Sequence, residues 1–175
     1  MEQHSIGAGG RVVGWLGLLA RLVTGGVWIV AGAVKLPDPA ASVDAVRAYQ
    51  LLPEAVVPTV GQLLPVVEVV VGAALVLGLL TRGAGAVSAV LFVAFIVGIA
   101  SVWARGLTID CGCFGGCGYD PDAASKYPWE IARDVALLAA SAFLVATGHR
   151  SRWALDHVLF RRTSSPDSPD TVTVP

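Results

Sequence analysis

The chain has 175 residues, of which 55% are hydrophobic and only 14% are charged, and its mean hydropathy is +0.70. Soluble domains are about 45–50% apolar and about 25% charged. The formal net charge is −1, and no long basic run or aromatic-basic interleaving indicates a nucleic-acid partner. Because ionised side chains are costly in hydrocarbon, this composition instead indicates a protein embedded in a lipid bilayer.

Four segments are apolar over about the 20 residues that a membrane-crossing helix needs. They are residues 12–34, 59–80, 83–104 and 129–148. The fourth is the most polar, since its first turns contain Glu130, Arg133 and Asp134. We therefore expect an all-α fold, a four-helix transmembrane bundle over residues 12–148. The first segment exceeds the roughly 7–15 apolar residues of a signal peptide, so we expect it to be retained as a helix.

The segment between the first two spans contains Pro37 and Pro39, which we expect to break the first helix. Residues 41–52 then place apolar side chains partly on one helical face. This pattern predicts a short amphipathic helix at the membrane interface, ended by Pro53. Residues 81–82 form the whole of the second predicted loop, so the second and third helices should be an antiparallel hairpin.

The distribution of Lys and Arg near the helix ends predicts the orientation in the membrane. One side carries Arg11, Arg82, Arg150, Arg152, Arg161 and Arg162, and the other carries Lys35, Arg47, Arg105 and Lys126. The first set is larger, which places residues 1–11 and the polar, partly disordered tail 149–175 in the cytoplasm. The loop over residues 105–128 is then extracytoplasmic, where disulfides form and persist.

That loop holds all three cysteines of the chain, Cys111, Cys113 and Cys117, among several glycines. Glycine permits backbone conformations that would let any two of the three sulfurs meet. A disulfide between Cys111 and Cys113 would close a very small ring, and strained disulfides tend to be labile or catalytic rather than structural. The third thiol would permit exchange within the cluster.

Two other interpretations of the cysteines stay open. The first is a structural brace of the loop, or thiols that are buried and unreactive. The second is a metal site made by the three cysteines and Asp110. Zinc sites usually combine one Cys pair with a distant second pair or with His. The chain has no second pair, and His4, His149 and His157 map to the opposite side. We therefore expect no metal.

Two charged residues fall near the middle third of the predicted bilayer, Arg21 in the first helix and Glu68 in the second. An unpaired charge there costs at least about 2.5–3.5 kcal/mol. We therefore expect an Arg21–Glu68 ion pair, either as a structural clamp or as part of a polar site lining a cofactor or proton pocket. Arg133 and Asp134 are expected to form a second pair that supports the cysteine loop. Lys35 is expected to snorkel from its helix end.

Several short motifs along the chain form one pattern. They are Arg21, residues 31–36 with Asp38-Pro39, Tyr49 with Leu52-Pro53, Pro65 with Glu68 and Gly72, and Arg105-Gly106 leading to residues 110–115. In these motifs the chain resembles the MauE branch of the MauE/DoxX group of small bacterial membrane proteins. The resemblance covers about residues 15–147, and Cys-Gly-Cys-Phe-Gly before the last helix is its most specific part.

The resemblance implies a four-helix, redox-associated protein of the bacterial cytoplasmic membrane. In the family, MauE is linked to methylamine utilisation and to disulfide formation in methylamine dehydrogenase, beside a thioredoxin-like partner. On this basis we expect Cys111 and Cys113 to be the redox pair and Cys117 a third participant. Electrons would pass from an extracytoplasmic thioredoxin-like protein to a membrane quinone. The residues expected to bind that cofactor are Arg21, Glu68, Arg133 and Asp134. The rival interpretation is a non-catalytic scaffold or assembly subunit.

Overall fold

A computed structural model describes residues 8–109 and 122–147. The secondary-structure elements in this part of the chain are all helices. Its five helices are α1 (Ala8–Lys35), α2 (Pro39–Ala48), α3 (Val57–Leu77), α4 (Thr81–Ala104) and α5 (Ala123–Thr147). The predicted all-α class is confirmed. Cys111, Cys113 and Cys117 lie outside the described residues, as does the tail 149–175.

Three of the five helices, α1, α3 and α4, are long and apolar enough to cross a membrane by length and composition. The fourth predicted crossing corresponds to α5, which has 25 residues and therefore sufficient length. Its first half, however, contains Lys126, Glu130, Arg133 and Asp134. The structure thus supports three apolar spans, and a crossing by α5 remains a prediction.

Helices α1 and α3 pack antiparallel through glycines. A Cβ atom added to Gly25 would lie 2.8 Å from the carbonyl oxygen of Gly72, and one added to Gly72 would lie 2.7 Å from that of Gly25. Nearer the end of α1, a Cβ on Gly32 would lie 2.6 Å from the carbonyl oxygen of Pro65. Small residues allow membrane helices to approach this closely. The register of α1 against α3 is therefore set by backbone-to-backbone contact.

A short series of hydrogen bonds connects α1, α4 and α5 inside the bundle. The indole N–H of Trp28 donates to Ser88 Oγ at 2.7 Å, and Ser88 Oγ lies 2.9 Å from Ser141 Oγ. The Ser141 hydroxyl donates to the carbonyl oxygen of Leu137 at 2.9 Å, so Ser88 is the donor to Ser141. Buried polar groups must find partners inside the protein when the surroundings are apolar. These bonds therefore fix the three helices at one depth.

The bounds of α2 differ from the prediction at both ends. The helix begins at Pro39, because the Asp38 side chain accepts a hydrogen bond from the Ala41 N–H at 2.9 Å and caps it. Proline is well suited to the first helical position, where its missing N–H is not needed. Pro39 therefore begins α2 as well as marking the break between α1 and α2. The helix ends at Ala48, before the predicted residue 52, and Gln50 adopts a left-handed φ of 52°.

The connections around α4 and α5 also differ from the predicted loops. Helix α3 ends at Leu77 because Gly78 has a left-handed φ of 72°, so the turn is residues 78–80 and not 81–82. Such a short turn still makes α3 and α4 antiparallel neighbours, as predicted. Helix α5 begins at Ala123, earlier than the predicted residue 129, and includes Pro128. The predicted cysteine loop is shortened accordingly.

Candidate functional site

The described residues on both sides of the cysteine-bearing segment are fixed at one end of the bundle. Ile109 and Ala123 pack in a cluster with Tyr127, whose side chain is 1% exposed. The Tyr127 hydroxyl accepts a hydrogen bond from the Ile109 N–H at 3.1 Å. It lies 2.9 Å from the carbonyl oxygens of both Leu107 and Ile109, and it can donate to one of them. A single side chain of α5 thus holds the residues that lead into the segment.

Arg105 connects the same end of the bundle to α2. Its Nη2 donates to the carbonyl oxygen of Tyr49, just after α2, and also to Ser101 Oγ at 3.0 Å. Its Nε donates to the carbonyl oxygen of Ser101 at 3.2 Å. Gly98 makes room for this packing, since a Cβ there would lie 3.1 Å from the Tyr49 ring. The end of α4 and the end of α2 are therefore held side by side.

The buried carboxylate of Glu68 pairs with Lys35, so the predicted Arg21–Glu68 pair is wrong. Lys35 Nζ lies 2.7 Å from Glu68 Oε1, and the two side chains are 9% and 0% exposed. Side chains on a helix tilt towards its N-terminus. Lys35, the last residue of α1, therefore reaches back into the bundle instead of snorkelling outwards. The second oxygen, Glu68 Oε2, has no hydrogen-bond partner among the described residues.

Arg21 instead holds the C-terminal end of α3. Its Nε donates to the carbonyl oxygen of Leu75 at 2.9 Å, and its Nη2 donates to that of Val76 at 3.2 Å. The last carbonyls of a helix lack partners within the helix, and a cation is favourable there. Gly78 leaves the necessary space, because a Cβ atom would lie 2.1 Å from Nη2. These contacts are those of a structural clamp, and a cofactor-binding role for Arg21 stays a prediction.

The second predicted pair is present. Arg133 Nη2 lies 2.9 Å from Asp134 Oδ1, and Arg133 Nε donates to the same oxygen at 3.0 Å. Both residues line a small cavity together with Lys35 and Glu68. The volume is about 20 Å³, which is room for about one water molecule. The structure thus brings three of the four predicted cofactor residues to one charged cavity and leaves Arg21 out.

A second cavity lies between α2, α3 and α4 and is apolar. Its volume is about 240 Å³. The lining residues are Val46, Tyr49, Leu51, Leu52, Val60, Leu64, Leu91, Ala94, Phe95 and Gly98. Phe95 also lines the charged cavity, where Lys35 Nζ lies 5.4 Å from the centre of its ring. Phe95 is therefore part of the wall of both cavities.

Sequence reasoning missed the two side chains that organise this end of the bundle. Lys35 is a second cation that could pair with Glu68, the acidic residue of α3. Its position at a helix end instead suggested that it would extend towards the membrane surface. Tyr127 precedes a proline in a polar stretch, which obscured its burial. A buried tyrosine usually needs a partner for its hydroxyl. The backbone of the residues that follow α4, Leu107 and Ile109, provides these partners.

Comparison with known proteins identifies one family. The family described as methylamine utilisation protein MauE matches residues 13–147 of the chain. The matched region contains nearly all of α1, the whole of the other four helices, and the cysteine-bearing segment. No curated protein and no solved structure matches the chain.

Proposed function

Because the chain belongs to the MauE family, we propose that this multi-pass membrane protein is a thiol–disulfide redox protein. Cys111 and Cys113 are the redox pair in this proposal, and Cys117 is a third participant. The observation that carries it is the anchoring of both ends of the cysteine segment by Tyr127 and its neighbours. The residues that flank the cysteine segment are thus held at one end of the bundle, where the proposal has a partner protein bind.

The partner in this proposal is an extracytoplasmic thioredoxin-like protein with two thiols. One partner thiolate attacks a sulfur of the Cys111–Cys113 disulfide, which forms a mixed disulfide and releases the other cysteine as a thiol. The second partner thiol then displaces the remaining cysteine. The partner loses two electrons and two protons and gains a disulfide, and this chain gains two thiols. In the family's setting, such exchange supports the maturation of methylamine dehydrogenase.

A membrane quinone, when bound, supplies an acceptor for two electrons and two protons. An apolar cavity of about 150 Å³ is large enough to bind benzene. The charged cavity of about 20 Å³ is far smaller, so the residues around it cannot enclose a quinone ring. In the proposal, Glu68, Arg133 and Asp134 act on the acceptor from behind Phe95, by providing charge close to the ring. Arg21 contributes by holding α3 in place.

The proposed topology has four crossings, with α5 as the fourth and with both termini in the cytoplasm. The cysteine segment is then extracytoplasmic. The count of basic residues near the helix ends supports this orientation. Six lie on the side of the termini, and four lie on the cysteine side.

Thiol trapping in native membranes tests the redox function. The experiment compares the wild type with Cys111→Ser, Cys113→Ser and Cys117→Ser after acid quenching and alkylation. We expect the wild-type pair to alternate between disulfide and thiols when a dithiol is added and removed. One of the first two variants should accumulate a mixed disulfide with a soluble partner. A chain without the three native cysteines that carries Ser125→Cys, an exposed thiol at the same end of the bundle, controls for simple accessibility.

The scaffold interpretation is the outcome that would replace this proposal. It gains if all three thiols stay unreactive, or if one disulfide never changes state under these conditions. The extensive structural use of buried polar groups, such as Arg21 on the end of α3, is the observation that favours it. Zinc analysis of the purified protein would separate a disulfide brace from a metal site.

A further inference from the structure

We propose that the apolar cavity between α2, α3 and α4 binds the ring of a membrane quinone. The inference rests on the proposed redox function and specifies where its electron acceptor binds. It assigns the acceptor to a place different from the four residues that the sequence indicated. Three properties of the cavity support it: its size and access, its position beside the buried charges, and its connection to the cysteine segment.

The size and access of the cavity suit a substituted ring. At about 240 Å³ it exceeds the roughly 150 Å³ of an apolar cavity that binds benzene. Leu51 and Leu52 line it and are 50% and 43% exposed, so the cavity is open to the surroundings. Ala94 is also exposed and lines it from α4, one of the apolar spans. A ligand dissolved in the bilayer can therefore enter from the side.

The chemistry of the walls favours a ring with polar edges over an acyl chain. Tyr49 and Phe95 line the cavity, and aromatic side chains pack well against flat rings. Phe95 is shared with the charged cavity of Lys35, Glu68 and Asp134. The oxygens of a quinone gain charge and then protons on reduction, and nearby ionisable groups stabilise such changes in an apolar environment. A hydrocarbon chain would make no use of these groups.

The cavity is also joined to the segment that carries the cysteines. The carbonyl oxygen of Tyr49 accepts a hydrogen bond from Arg105, which directly follows α4. Cys111 comes six residues after Arg105, a separation of at most about 22 Å for an extended chain. Arg105 thus connects the wall of the apolar cavity to the residues that lead to the cysteines. In the redox step, two thiols would lose two electrons and two protons to form a disulfide, and the quinone would gain them as a quinol.

Binding of a short-chain ubiquinone analogue to the purified full-length protein in nanodiscs tests the site. Ala94→Trp should fill the cavity from an exposed position and weaken binding by at least about tenfold. Val97→Trp adds the same side chain to the same helix at a residue that is 57% exposed and lines neither cavity. It should bind like the wild type. Leu64→Trp, which fills the cavity from α3, provides a second variant in case the first is unstable.

A photoreactive azido-quinone should label peptides of α2, α3 or α4 that border the cavity, and excess quinone should prevent the labelling. The location is overturned if Ala94→Trp and Leu64→Trp both fold and bind like the wild type. It is also overturned if only phospholipid occupies the cavity. Binding should persist in a variant without cysteines, because the proposal assigns the site to the residues of α2, α3 and α4 that line the cavity. Cavity-dependent binding with inert thiols would therefore reject the redox function alone, and cycling thiols without quinone binding would reject this site alone.

Discussion

The Glu68 carboxylate is buried inside the bundle, where a charge needs a partner. One oxygen is bound by Lys35 at 2.7 Å, and the other has no hydrogen-bond partner among the described residues. Removing one member of a buried ion pair leaves a charge that neither water nor a partner can stabilise. The Lys35–Glu68 pair is therefore expected to matter for the stability of the bundle, whatever its part in redox chemistry.

Lys35→Met is expected to destabilise the protein by about 3–5 kcal/mol, because it leaves the Glu68 carboxylate buried without its cation. Thermal unfolding of the protein in detergent measures the effect. The double variant Lys35→Met/Glu68→Leu should recover much of the loss, since it removes both charges. Equal melting temperatures for Lys35→Met and the wild type would show that the pair contributes nothing.

Outside the membrane spans, the Arg47 guanidinium holds the pKa of the Glu54 carboxyl below its ordinary value by hydrogen bonding to it. A lowered carboxyl pKa in the folded protein means that the contact stabilises the fold above the ordinary pKa. The stabilisation is lost as the pH falls through the lowered value. Both side chains are exposed, so the contact is expected to be weak.

We therefore predict that Arg47→Gln raises the titration midpoint of Glu54 towards that of an ordinary glutamate. The midpoint can be followed by carboxyl ¹³C NMR of the protein in detergent. Arg105→Gln is a suitable control, because Arg105 donates to Tyr49 and Ser101 and not to Glu54. An unchanged midpoint in Arg47→Gln would contradict the assigned cause.

At the scale of the helices, the contact of α1 with α3 depends on glycines that meet across the interface. Gly25 and Gly72 face each other so closely that neither can accept a Cβ atom without movement of the backbone. The adjacent Gly26 has no atom within 4 Å of its would-be Cβ position. Two neighbouring glycines of one helix thus have opposite environments, which gives a matched experiment.

Gly25→Ala is expected to destabilise the bundle by about 1–3 kcal/mol, because the added methyl group pushes α1 and α3 apart. Gly26→Ala should be neutral or stabilising by up to about 1 kcal/mol, because alanine favours the helix more than glycine does. Thermal unfolding of the two variants in the same detergent gives the comparison. Similar losses in both would indicate that the α1–α3 contact is not the cause.

The organisation of the whole molecule turns on whether α5 crosses the membrane. Three helices are apolar enough to do so, whereas α5 carries charge in its first half. Part of that charge is neutralised inside the bundle, since Arg133 pairs with Asp134, which is 2% exposed. Paired charges facing other helices are much less costly in a membrane than charges facing lipid. The tertiary structure therefore lowers the main obstacle to a fourth crossing.

Single-cysteine labelling distinguishes three crossings from four. Ser125→Cys and Thr171→Cys would each be placed in a chain without the three native cysteines. With four crossings, a membrane-impermeant maleimide added to spheroplasts labels the first and not the second, and inverted vesicles show the reverse. If both positions are labelled from the same side, α5 does not cross. Labelling after membrane disruption confirms that both thiols are reactive.

Sequence alone was sufficient for the helical class, for the family resemblance and for the approximate bounds of α1, α3 and α4. The reason is that a bilayer requires long apolar helices whose backbone groups are satisfied internally, a pattern visible in any window of the sequence. The Arg133–Asp134 pair was also predicted, because opposite charges in a segment expected to cross the membrane should neutralise each other. The bounds of α2 and α5 were less accurate, since capping by Asp38 and a proline inside α5 decided them.

Only the tertiary structure decided which distant charges meet. Arg21 and Glu68 were matched by depth in the bilayer, yet Arg21 binds the end of α3 and Glu68 binds Lys35. The glycine contacts set the register of α1 on α3, and the tilt of side chains towards the helix N-terminus carries Lys35 inwards. The spacing of residues along the chain does not reveal these contacts. The glycine contacts arise where two helices touch, and the partner that the tilted Lys35 side chain meets depends on how α3 packs against α1.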